Sequence, residues 1–217
     1  FEIAYFARPT TLGETRRWQP DDHHLVERFG IFTIIVLGEA FVKILDDAQG
    51  TRLGVNEIVF AVVLVTALFA LWWLHFSDSA GELYDLSSNA KPLSWIYGHL
   101  LLSVALVMFG VAAKKLFGET ISAGGEATKE EYRLLLTVAV VVFLVGQSLI
   151  TFGVDDALTT LSQKRRIVGY LGAAVVIVTL GLTLTSLTAT GLISMVTAVL
   201  LVLVGDAIIQ TKQAPAH

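Results

Sequence analysis

HLVERFGIFTIIVLGEAFVKIL, running from His24 to Leu45, decides the class of this chain. Its 22 positions span roughly 33 Å as an α-helix, about the thickness of a bilayer's hydrocarbon core. Glu39 falls among isoleucines, valines and phenylalanines, where an unpaired ionisable group costs on the order of 3 kcal/mol. A carboxyl so placed is expected to need a partner, a proton or a cavity, sheltered by neighbouring helices.

Composition carries the same message. Of 217 residues, 54% are hydrophobic and only 16% charged, well short of the roughly 25% of a soluble domain. Six segments are apolar over about 20 residues, each long enough to span. They run at about 24–45, 56–78, 93–117, 132–152, 167–186 and 190–210. Short polar links predict an all-α polytopic integral membrane protein, a bundle of six transmembrane helices over 24–210. Residues 1–23 read as an N-terminal loop or the end of a preceding helix, and 211–217 as a polar tail. Proteins of such a bundle have the lipid bilayer as their first partner, and the net charge of −4 gives no nucleic-acid signature.

With no cysteine, disulfides, thiolate metal sites and cysteine nucleophiles are excluded. There is no HExxH, Walker loop, GxSxG or dinucleotide fingerprint, so ATP-driven and soluble-type enzyme chemistry is not expected. Positive charges do not orient the chain. Arg8, Arg16, Arg17, Lys91, Lys164, Arg165 and Arg166 fall on the side where the first helix starts, side A. Lys43, Arg52, Lys114, Lys115, Lys129, Arg133 and Lys212 fall on side B.

Alternating helix directions convert sequence position into depth. His24, Glu27 and Arg28 start the first helix on side A; His75 and Asp78 end the second there; His99 lies about 9 Å inside the third. Gln147, Thr151 and Asp155 end the fourth helix on that side, and Asp206 the sixth. Polar side chains of five helices are thus expected to gather in one half of the membrane. At about 100° per residue, His24, Arg28 and Glu39 share a stripe roughly 60° wide, with Lys43 beside it and Ile34, Val36 and Phe41 opposite. The stripe is expected to face inward, with Glu39 and Lys43 able to pair at i,i+4. The fifth helix is rich in Gly, Thr and Ser, which predicts close helix contact. Leu37-Gly38-Glu39 before Asp46-Asp47 echoes Val145-Gly146-Gln147 before Asp155-Asp156, the pattern of an inverted three-plus-three repeat.

Three stretches carry a family resemblance. They are His24 with Glu27-Arg28-Phe29-Gly30 and Phe32-Thr33-Ile34-Ile35 to Leu37-Gly38-Glu39; Leu71-Trp72-Trp73-Leu74-His75-Phe76-Ser77-Asp78; and Tyr97-Gly98-His99-Leu100-Leu101. In them the chain resembles the bacterial low-temperature-requirement protein A (LtrA) family, with His75 where that family typically shows tyrosine. The resemblance implies a multi-pass protein of the bacterial inner membrane, with further helices before this segment or a membrane-protein partner. It implies an association with growth in the cold rather than a chemistry.

Three functions fit the pattern. The first is a transporter-like protein in which Glu39 carries a proton or cation, Arg28 is its electrostatic partner or an anion contact, and Glu27, His24, Asp78, His99, His75, Gln147 and Asp206 line the site. The second is a redox or metal-binding subunit holding haem b or a divalent metal between His75 and His99. The third is a non-catalytic accessory or sensor protein whose buried charges fix helix register.

Overall fold

Pro92 shows how one of the helices finds its start. The first N–H groups of an α-helix have no intrahelical acceptor, so proline loses nothing in the first turn. In the computed structural model the third helix begins at Ala90, and Pro92 lies inside its first turn rather than in the preceding link. The structure describes residues 22–48, 54–78, 90–122, 126–154 and 162–213. Among them are six helices and no strand: α1 Asp22–Ala48, α2 Val55–Asp78, α3 Ala90–Ser122, α4 Glu130–Gly153, α5 Gln163–Thr183 and α6 Ala189–Gln213. Residues 1–21 and 214–217 lie outside the described residues, and so do Asp155 and Asp156.

Five of these helices are long and apolar enough to cross a membrane: Val55–Ser77, Ala90–Ser122, Glu130–Gly153, Gln163–Thr183 and Ala189–Gln210. α1 is not among the five. At 27 residues it has the length, but Glu27, Arg28, Glu39 and Lys43 all lie within its apolar run. α5 ends at Thr183, earlier than expected, where the Leu184 N–H closes onto Leu180 O. α6 then starts behind Thr188, whose hydroxyl accepts the Gly191 N–H at 3.2 Å, an N-cap bond.

The polarity of the bundle is that of a membrane protein. Val62, Phe69, Val168, Val175 and Val202 point outward and are 61–71% exposed, an apolar surface that water would not tolerate at this extent. Trp72 and Trp73 stand half-exposed near the end of α2, where indoles sit well at a membrane–water interface. Inside, α3 is the central element, packed mainly on α4 and α1. Its Leu102, Leu106, Phe109, Leu116 and Phe117 are buried with Phe60, Leu64 and Leu71 of α2 and Leu136, Phe143 and Leu144 of α4.

In lipid, helices associate by packing rather than by hydrophobic drive, so backbone approach is decided by small residues. The closest approach is α3 against α4. A Cβ on Gly98 would lie 2.8 Å from Gly146 O, one on Gly146 2.9 Å from Gly98 O, and one on Gly153 2.8 Å from Lys91 O. On α5, by contrast, Gly172 faces open space; only Gly181 is tightly met, by the Thr137 side chain. The small residues expected to draw α5 in are therefore not where the bundle is tightest.

The inverted repeat is not seen in the packing. A three-plus-three repeat requires α4 to meet α6 as α1 meets α3, yet among the described residues α1 packs on α3 while α4 makes no substantial contact with α6. The sequence echo is local, carried by a few residues at two helix ends.

Replacing Gly98 or Gly146 by alanine is expected to push α3 off α4 and lower stability by about 1–3 kcal/mol, the usual cost of overpacking. Gly172→Ala is the control. Thermal unfolding in detergent should separate the first two variants from the third, and equal melting of all three would contradict this packing.

Candidate functional site

Three helices bring buried polar side chains to one level. α2 supplies His75, three residues before its end at Asp78; α3 supplies His99, nine residues after Ala90; α4 supplies Gln147, six residues before Gly153. His75, His99 and Gln147 are respectively 2%, 4% and 0% exposed. Their neighbours are Leu74, Trp95 and Ile150, all fully buried, so each polar atom needs a partner within the protein.

The Gln147 amide and the two Nδ1 atoms have theirs. Gln147 Nε2 donates to Leu74 O at 3.3 Å, tying α4 to α2. Its Oε1 meets His75 Nδ1, also at 3.3 Å. His99 Nδ1 donates to Trp95 O, one turn back on its own helix, at 2.9 Å. The imidazoles lie side by side, ring centroids 5.5 Å apart and planes at 80°. Aromatic rings enclose them: Trp95 at 4.1 Å and Phe29 of α1 at 4.7 Å from His99, and Phe76 at 4.8 Å from His75. Nearby, Ser94 Oγ donates to Leu149 O at 2.9 Å. The buried Thr151 hydroxyl has no hydrogen-bond partner among the described residues.

The end of α4 is held by a residue outside it. Gln163, the first residue of α5, donates through Nε2 to Thr151 O at 2.7 Å and Val154 O at 3.1 Å. Those carbonyls belong to the last turn of α4 and to its C-cap Val154, where no intrahelical donors are left.

Of the residues expected to line a site, His75, His99 and Gln147 converge. The charged stripe of α1 does not join them. Glu27, Arg28 and Glu39 are exposed on this chain, so the expected shelter of Glu39 by neighbouring helices is not built here. The opposite face packs instead: Phe29, Val36 and Leu37 lie against the core, and Thr33 is buried with its hydroxyl donated to Phe29 O at 2.9 Å. The physical reason is that Phe29 docks on Trp95 and His99, which turns the stripe outward. Asp206 is also elsewhere, paired with Arg165 of α5 and accepting from Gln210. The side chains of His24, Lys43 and Asp78 lie outside the described residues, and with them the expected contact of Arg28 with Asp78.

Two buried arginines escaped the sequence reading, which counted them only as interfacial charge. Arg133 is 6% exposed and Arg166 4%; Arg133 donates to Thr185 O at 3.4 Å. Trp95 was legible in principle, because it stands one turn before His99 on the same helix face. As for a metal, among the described residues no three His, Asp or Glu side chains are grouped to hold one. The histidine pair offers two ligands.

The family model for the bacterial low temperature requirement A protein (LtrA) matches residues 2–205. This chain belongs to the LtrA family. The match runs through all six helices, where the sequence resemblance rested on the first three. No curated protein and no solved structure matches the chain.

Gln147→Ala removes the acceptor of His75 and the donor to Leu74 O together. It is expected to destabilise this LtrA-family chain by about 1–3 kcal/mol for the buried groups left unpaired. Asp206→Asn, which weakens a half-exposed ion pair, should cost under about 1 kcal/mol. Chemical unfolding of both variants checks the order; the reverse ranking would count against the Gln147 bridge.

Proposed function

We propose that this LtrA-family membrane protein is transporter-like, and that the His75–Gln147–His99 cluster handles a proton or cation within the bundle. The observation that supports this is the pair of buried imidazoles from different helices, one of them held by the amide of a third. Ionisable residues within membrane spans are expensive and characteristically mark ion pathways. Imidazole accepts and releases a proton through a small change of surroundings, and two rings 5.5 Å apart can pass one between them. Glu39 plays the lesser part in this reading, because its side chain stands on the outer face of α1.

The test is flux in proteoliposomes carrying an imposed pH gradient, followed with an entrapped pH-sensitive dye. His75→Gln and His99→Gln should each slow proton movement by about tenfold or more, equivalent to at least about 1.4 kcal/mol on the barrier, while Glu39→Gln changes it by less than about twofold. Normal insertion with unchanged flux in both histidine variants would favour the accessory or sensor role instead.

A further inference from the structure

We infer that the His75–His99 pair is a binding site for a monovalent d10 metal ion of the copper(I) class, held between the two Nε2 atoms. The inference rests on the function proposed above and names the cation. It begins with the tautomers. A backbone carbonyl can only accept, so Leu74 O requires the amide nitrogen of Gln147 on its side. That leaves the Gln147 oxygen facing His75 and makes His75 Nδ1 the donor. Trp95 O imposes the same state on His99. Each imidazole therefore carries its proton on Nδ1 and its lone pair on Nε2. Among the described residues neither Nε2 has a hydrogen-bond partner.

This is how proteins prepare histidines for metal: the far nitrogen is fixed by an outer-shell acceptor so that the near one presents its lone pair. Metal–nitrogen bonds of about 2.0 Å on each ring place two imidazole centroids about 6 Å apart in a linear arrangement and closer in a bent one. The observed 5.5 Å is shorter than the linear spacing, so a linear two-coordinate ion requires the rings to part by roughly 0.5–1 Å, while the twist between ring planes is left free. The chemistry of the surroundings selects the charge. Both ligands are neutral, and apart from the Gln147 amide the rings set against them, Phe29, Phe76 and Trp95, are aromatic and uncharged. The cost of bringing an ion into such a medium rises with the square of its charge, so a single charge is strongly preferred over a double one. Divalent ions also take four or more ligands, and no third His, Asp or Glu is grouped with the pair among the described residues. Alkali ions favour oxygen donors. A monovalent ion content with two nitrogen ligands remains.

Silver(I) is the probe, since it has the same charge and coordination and undergoes no redox change. The protein would be purified in detergent and titrated with silver nitrate in chloride-free buffer. Met108→Leu and Met195→Leu in the background remove both thioethers of the chain. One silver per chain is expected, lost by more than about a hundredfold in affinity in His75→Gln or His99→Gln, and weakened about 10–100-fold in Gln147→Leu, the range for an outer-shell partner. In case a variant fails to fold, nitrogen-15 histidine spectra of the parent protein supply an independent readout: silver should shift the Nε2 resonances of two histidines and leave their Nδ1 protons in place. Silver binding that is indifferent to both histidines, or zinc(II) bound there more tightly than silver, would overturn the inference. Histidine-dependent proton flux without silver binding would overturn it too, while leaving the transporter-like reading intact. Silver binding with no histidine-dependent flux would do the opposite.

Discussion

The near-contact of the α3 and α4 backbones at Gly98 and Gly146 is the constraint on which the rest depends. A side chain at either position would occupy the space of the other helix's carbonyl. Because lipid gives helices no hydrophobic reason to associate, this approach rests on dispersion and shape, and those operate only at contact. The buried amide and imidazole cluster is referenced to it. Gln147 follows Gly146 directly and His99 follows Gly98 directly, so the glycine crossing sets the distance at which the amide and the imidazole meet. α1 is added by ring stacking, through Phe29 on Trp95 and His99.

Around this seam the bundle reverses the arrangement of a soluble protein. Its outward valines and phenylalanines meet hydrocarbon, and Gln147, His75 and His99 are buried inside it, with the amide and both Nδ1 atoms bonded internally. Most serines and threonines are satisfied within their own helix, as Ser103 is by His99 O, Ser148 by Leu144 O and Thr197 by Ile193 O. Gln147 is different, because its bonds to Leu74 O and His75 Nδ1 leave its own helix for α2. It is a fully buried amide that links two helices beside two buried imidazoles, which sets the cluster apart from the hydroxyl residues.

The bundle was legible because hydropathy and length suffice to locate apolar spans, and five of the six predicted segments meet both criteria. The convergence of His75, His99 and Gln147 was also legible, since antiparallel alternation fixes which ends share a level. The facing of α1 was not. A helix with charges on one side offers two inward faces, and charge alone does not choose; the aromatic dock of Phe29 does, and it depends on Trp95 from another helix. The glycine crossing was hidden for a related reason. Gly98 is unremarkable within α3, and its role exists only opposite Gly146. Gln163 escaped because its acceptors lie on the preceding helix, across a link whose path the sequence does not give.

The length of α3 has a mechanical outcome. Its 33 residues make a rod of about 50 Å, against a hydrocarbon core of about 30 Å. Tilting to absorb the whole excess would need more than 50°, beyond the roughly 40° limit of membrane helices. The surplus must emerge as a spur. Lys114, Lys115 and Glu119 lie towards the C-terminal end of α3, which packs on the bundle through the buried Leu116 and Phe117. At about 40° of tilt, about 10 Å of helix, under two turns, lies beyond the hydrocarbon. Tyr132, near the start of α4, meets the base of that spur, with Lys115 and Lys129 over its ring. His99, near the other end of α3, is carried on the same unbroken helix.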